Sequence, residues 1–409
     1  MNKTLVFLIL LLLFFIGGCG DHRADVQTQD LADADWSEIE KTAAGSTVQI
    51  FMWGGDENIN RFMDQWVAPR LQEQYGITLV RTPIDITEVL QKLLAEKQAA
   101  GGKNGTTDII WVNGENFKNA RDNGLLGAPF TDQLPNYQAF VDPKDTAYDF
   151  GAPTEGLEAP WGKVQFVFLY DAAKVTDPPR SFEELKQWVK NNPGKFTYPE
   201  VEDFTGNAFV RHLLYRYAGV ENLLQRSYEE NLQDQATAEM WAYLKDIKPY
   251  LWRKGETYPK TLTQLDHLFS QGEVSFSMGY NEGRAESMMA AGNFPGTTRS
   301  FVMESGSIGN IHYLAIPFNA PNRAGAMAAI NYLLSPEAQL AKMQPENWGD
   351  STVLDISKLS PEEQQSFRAL NRGESVLSST ELKETFQPEV DPEYVNWIKE
   401  QWLSEVLAP

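Results

Sequence analysis

From Thr47 onward, short β-prone runs alternate with stretches whose apolar residues fall three and four apart. Thr47–Met52 is the first such run, ended by Trp53-Gly54-Gly55. Ile59, Phe62, Met63, Trp66, Val67 and Leu71 then predict a helix that Gly76 stops. Ile77–Val80 predicts a second strand, and Asp85 with Glu88 has the spacing of a capping box opening the next helix. Thr107–Val112 is the third predicted strand, followed by Asn113-Gly114 and a helical segment to Gly124. Strand and helix alternating at this spacing predict a parallel α/β sheet.

A second block opens near Pro160-Trp161-Gly162. Val164–Tyr170 and Val274–Met278 predict strands, and Ser181 with Glu184 caps a helix through Leu185, Trp188 and Val189. Thr205-Gly206-Asn207 introduces a helix carrying Phe209, Val210, Leu213 and Leu214, and Ile311–Pro317 predicts a late strand. Ser335-Pro336, Ser360-Pro361 and Asp391-Pro392 repeat one device, a capping residue followed by proline, so the C-terminal part is predicted helical.

The N-terminus has a different pattern. Met1-Asn2-Lys3 precedes Leu5–Ile16, twelve unbroken apolar residues, and Ile16-Gly17-Gly18-Cys19 closes the run. Twelve residues are too few to cross a ~30 Å hydrocarbon core as a helix, but they suit the apolar region of a cleaved export signal. The closing residues resemble the lipobox of bacterial lipoproteins, whose cysteine is lipidated and becomes the new N-terminus. Residues 1–18 are thus expected as signal peptide and 19–45, polar and acidic, as a flexible tether.

Composition narrows the function. Of 409 residues, 42% are hydrophobic and 12% aromatic, enough for a sizeable core. With Lys plus Arg at 35 against 56 for Asp plus Glu, the net charge of −21 argues against nucleic acid as a partner. One cysteine and four histidines leave no disulfide framework and no Cys/His metal cluster. No cofactor is expected.

Several motifs then resemble the solute-binding proteins that feed bacterial ABC importers (family 1, type II periplasmic binding-protein-like). They are Ala159-Pro-Trp-Gly-Lys-Val-Gln-Phe-Val-Phe-Leu-Tyr-Asp171, Asn192-Pro-Gly-Lys-Phe-Thr-Tyr-Pro199, Gly309-Asn-Ile-His-Tyr-Leu-Ala-Ile-Pro-Phe-Asn-Ala-Pro-Asn322 and Leu334-Ser-Pro-Glu-Ala-Gln339. The likeness runs from about residue 46 to the C-terminus. It is nearest a branch whose relatives take up thiamine, polyamines, ferric iron or sugars. It implies a two-lobed α/β fold, each lobe a mostly parallel sheet flanked by helices. Residues 46–161 and 300–345 would form the first lobe, 162–299 and 346–409 the second. It also implies a permease and its ATPase as partners, a monomeric exported protein held to the membrane by lipid at Cys19, and a solute bound between the lobes.

Loops at strand ends should face that solute. Trp53, Gly54, Gly55 and Asp56 follow the first strand; Trp53 offers a flat face to a ligand or belongs to the core. Asn113, Gly114, Glu115 and Asn116 follow the third. At the crossing, Gly162 is the candidate hinge, and Trp161 either walls the cleft or packs between the lobes. Tyr280, Asn281 and Glu282 follow a second-lobe strand. Thr205 and Asn207 open a helix whose free N–H groups suit an anion, or they form an ordinary cap. Asp56, Glu115 and Glu282, beside Trp53, Trp161 and Tyr280, suit a small organic cation such as a thiamine-like or polyamine compound.

Other classes fit less well. A sugar-binding importer component differs from this reading in ligand alone. For a secreted hydrolase, Ser305-Gly-Ser-Ile-Gly309 has serine where the nucleophile elbow needs its first glycine, and it leads into a strand rather than a helix. Iron-binding relatives use neighbouring tyrosines, and this chain has no Tyr-Tyr pair; Tyr215 and Tyr217 are spaced across one residue.

Overall fold

The computed structural model describes residues 31, 34–100, 105–226, 228–232 and 235–407. The expected signal peptide and Cys19 lie outside them. Among the described residues the strands are β1 (Thr47–Met52), β2 (Thr78–Pro83), β3 (Ile109–Val112), β4 (Tyr148–Asp149), β5 (Ala152–Pro153), β6 (Glu158–Asp171), β7 (Phe276–Tyr280), β8 (Thr298–Phe301), β9 (Ser307–Ala315) and β10 (Phe386–Gln387).

In the first lobe, β1 pairs in parallel with both β2 and β3. Alternation along these strands divides the core in two: Val48, Ile50, Met52 and Ile109 face one helical layer, Phe51, Ile110 and Val112 the other. The first face is covered partly by the helix Arg323–Leu333, buried from Ala324 to its end. The helical run expected from Ile59 to Leu71 is present, with a π turn over Phe62–Val67, and it ends on Gly76 at φ 67°. That left-handed cap is a conformation glycine adopts without steric cost.

β6 carries the chain between the lobes. Its start, with Ala159 and Trp161, belongs to the first core, and its continuation from Val164 to Leu169 belongs to the second. β9 returns antiparallel beside it, from Gln165 opposite Gly309 to Glu158 opposite Ala315, with a bulge between Pro160 and Gly162. The mostly parallel pattern therefore holds for β1–β3. In the second lobe β6 pairs antiparallel with β7 and β8 as well, because these strands return beside it rather than crossing over in the same direction.

Packing draws other boundaries differently from the sequence. Phe301, Val302, Met303 and Ile308 join the second core, so the return to the first lobe falls within β9 rather than at residue 300. Trp348, Leu354, Leu359 and Phe367 join the first core, so the last crossing follows Leu370 rather than residue 345. The tether expected over 19–45 is not wholly a tether. Trp36–Ala43 is a helix capped by Asp35, with Ile39 and Ala43 buried against the first lobe. Trp36, Ile39 and Ala43 share one helical face, which suffices to dock it.

Candidate functional site

The loops that end the first-lobe strands meet the second lobe directly. Asp56 caps the helix Glu57–Arg61 through one carboxylate oxygen, which accepts from the backbone N–H groups of Asn58 and Ile59. Its other oxygen receives the Arg284 guanidinium at 2.9 Å. Arg284 also donates to Asp266, which itself accepts from Ser277 Oγ. Close by, Thr263 Oγ1 donates to the Gly55 carbonyl and Asn58 Nδ2 to the Ser287 carbonyl. Trp53 is half-buried and folds back over its own turn, its ring 2.4 Å from where a Gly55 side chain would begin. Only glycine fits there. Gly54 has Pro83 against it in the same way.

After β3, Asn113 is half-buried, while Gly114, at φ 62°, and Glu115 are buried. The Gly114 N–H donates to Asp149, and Glu115 holds Lys399 of the second lobe at 3.3 Å. Phe150, beside Asp149, reaches across to Phe204 and lies under the Arg211 guanidinium. Aromatic and cationic groups from opposite lobes thus interleave at this point.

Trp161 is fully buried in the first core, edge-on to Trp111 at 5.3 Å and to Trp348 at 4.9 Å. His312 adjoins the same rings. Burial holds His312 far down in pKa, to about 3, so its imidazole is neutral, and both its Nδ1 and Trp161 Nε1 are buried without a hydrogen-bond partner. Gly162 explains a close approach: a methyl group there would sit 2.1 Å from Asp350 Oδ2 and 2.9 Å from Lys342 Nζ. Those two form a fully buried ion pair at 3.0 Å, and Lys342 also donates to the Trp161 carbonyl at 2.6 Å. Desolvation raises the Asp350 pKa to about 7 and lowers that of Lys342.

In the second lobe, the Tyr280 hydroxyl donates to Glu389 at 2.6 Å, and Arg211 donates to both. Asn281, at φ 91°, donates to the Trp348 carbonyl and accepts from the Gly283 N–H. Glu282 accepts from the Gln165 N–H, the Ser351 hydroxyl and Arg372. Thr205 and Asn207 lie in the helix Phe204–Ala218, but its cap is Asp203. The Asp203 carboxylate takes the N–H groups of Thr205, Gly206 and Leu262, so the chain itself occupies the place proposed for an anion. Asn207 is spent on the Val395 carbonyl and on Arg211.

The structure thus brings Asp56, Glu115, Asn281 and Glu282 to the boundary between lobes, whereas Trp161 lies in the first core and Tyr280 in the second. It also adds what the loops alone do not show. Each of the three acids already has a base: Arg284, Lys399 or Arg372. Arg372 and Lys399 come from far along the chain, and no local spacing signals them. Asp149, Glu158, Arg211, Lys342, Asp350 and Glu389, all buried here, and the half-buried His312 were likewise not singled out by the sequence.

Two α/β lobes, joined by strands that cross between them and facing each other through charged and aromatic loops, define a two-lobed binding protein. The chain belongs to the bacterial extracellular solute-binding proteins, matching that family over residues 66–366. It is 36% identical over 337 residues to Protein YnjB of Escherichia coli K12, covering 82% of this chain and 87% of that one. Among solved structures, it resembles the periplasmic binding protein AfuA from Actinobacillus pleuropneumoniae with fructose-6-phosphate bound. The TM-score is 0.63 at 13% identity, over 89% of this chain and 99% of that one. The spermidine/putrescine substrate-binding protein PotD from Streptococcus pneumoniae gives 0.61 at 16%, over 88% and 98%. These two likenesses establish the fold. The protein is the solute-binding component of an ABC importer, a class that binds small solutes and works with a permease and its ATPase. Among the described residues, no helix is long and apolar enough to cross a membrane.

Proposed function

We propose that this solute-binding protein captures a small organic cation between its lobes and delivers it to the permease, as a monomer anchored by lipid at Cys19. One observation carries the ligand class. Among the described residues the buried bases Arg211, Arg284 and Lys342 each face a carboxylate of this chain. Among the same described residues, the buried carboxyls Glu158 and Asp149, the latter next to Phe150 in the chain, face no base within ion-pair distance. A cleft whose own cations are neutralised and whose acids are in excess favours a positive ligand. The aromatic groups beside it add stabilisation of ~0.5–2 kcal/mol each to a desolvated cation. Among relatives of this fold, one structure is described as a spermidine/putrescine binder and another as a thiamin binder.

A thermal-shift panel tests the class: polyamines, thiamine and its phosphates, betaines, sugars and oxyanions. A true ligand at one hundred times its dissociation constant stabilises by ~2.7 kcal/mol, a visible rise in melting temperature. A rise with cations supports the reading. A rise with sugars or oxyanions and none with cations overturns it.

A further inference from the structure

Glu158 stands at the start of β6, 2% exposed, and neither of its carboxylate oxygens has a hydrogen-bond partner. Such a group is costly in a folded protein and calls for an explanation. Asp149, 3% exposed, is the neighbour whose charge acts on it most strongly, and Asp149 accepts from the Gly114 N–H at the end of β3. Both carboxyls are held well above the usual carboxylate range, chiefly by burial. Glu115 and Glu389, from opposite lobes, press on Asp149 with the same sign.

The base that acts on Glu158 is Arg121, and it is committed elsewhere. Its guanidinium donates to the Pro153 carbonyl and to Asp122. Phe150 follows Asp149 directly and contacts Phe204 and Arg211 of the second lobe, so Asp149 lies beside the interlobe boundary, with Glu158 behind it in the first lobe opposite Ala315.

We propose that Asp149 and Glu158 form a subsite for an ammonium or amine group that carries N–H donors, so that a primary or secondary amine is recognised and a quaternary ammonium is not. The chemistry follows from the acceptors. A quaternary cation neutralises charge but leaves both Glu158 oxygens without a donor, whereas an N–H group answers charge and hydrogen bond together. This inference rests on the organic-cation reading and narrows it. It uses neither Asp56 nor Glu282, whose partners are already in place.

Calorimetry on the purified full protein with matched probes provides the test: 1,3-, 1,4- and 1,5-diaminoalkanes, each beside its fully N-methylated counterpart. At least one diamine should bind, with its permethylated form ~10-fold to 100-fold weaker. Glu158→Gln should weaken the diamine by a similar factor and leave the permethylated form unchanged. Equal affinity for the two members of every pair overturns the subsite while leaving the cation reading intact. Undiminished diamine binding by Glu158→Gln also overturns it. Absence of binding by all ammonium probes, with a sugar or oxyanion binding instead, overturns both. Should Glu158→Gln fail to fold, Asp149→Asn serves in its place, and the comparison of paired probes on the unmodified protein needs no variant.

Discussion

Arg284 of the second lobe and Asp56 of the first meet at 2.9 Å, each with its side chain 5% exposed. The same aspartate caps a first-lobe helix, and the same arginine holds Asp266. One side chain therefore couples the start of a helix to the contact between lobes. This contact between lobes uses the protein's own charges.

Asp56→Asn should keep much of the helix cap and lose the charge. A hydrogen bond to a charged partner is worth about 1.5–3 kcal/mol, so stability should fall by that order. Asp56→Ala also loses the cap, at a further cost of ~1 kcal/mol. Urea midpoints rank the two, and small-angle scattering should show a larger radius of gyration for both. Unchanged scattering would show that this pair does not hold the lobes together.

Gly162→Ala would place a methyl group against Asp350 and Lys342, a pair with no route to solvent. Overpacking of this kind costs about 1–3 kcal/mol. Gly296→Ala is the control, since nothing lies within 4 Å of its added carbon. Equal melting temperatures for the two variants would contradict the packing at Gly162.

His212 sets a pH dependence. Its Nδ1 faces the Ala208 carbonyl and its Nε2 accepts from the Ile308 N–H. Burial lowers its pKa to about 3 from an ordinary value near 6.5. The unfolded chain therefore takes up the proton first, so the stability this group contributes is present above pH 6.5 and lost as pH falls toward 3. The slope is on the order of 1.4 kcal/mol per pH unit. Denaturant unfolding of the wild type and His212→Gln at pH 7, 5.5 and 4.5 should show their difference shrinking as pH falls. Parallel curves would refute the neutral, buried assignment.

Cys19→Ser should move the protein from the membrane fraction to the soluble fraction while leaving the melting of the folded lobes unchanged. Two or more acyl chains anchor firmly, since each buried CH₂ adds ~0.8 kcal/mol. Retention of the variant in membranes would remove the lipid-anchor reading.

The sequence by itself determined the local elements and the class. β1 begins and ends where the apolar run does, because alternating burial and the Gly54-Gly55 turn are local properties. The Ser181, Ser335 and Ser360 caps are equally legible, since a cap depends on residues within one turn. The helix cap at Asp203, rather than Thr205, shows the limit of that reading: neighbouring candidates compete, and the third-party N–H of Leu262 helps decide. The helix Trp36–Ala43 was missed because its polar residues outnumber the few that dock it. The loops at the ends of β1, β3 and β7 were legible as candidates because an α/β sheet presents its strand ends together. Their partners were not. Glu115 with Lys399 and Glu282 with Arg372 are separated by 284 and 90 positions, so only the fold brings these charges together. Charge compensation in a buried boundary depends on three-dimensional distance and desolvation, and neither has a signature in local spacing. Only the tertiary structure therefore decided which acids are already neutralised and which, at Asp149 and Glu158, are not.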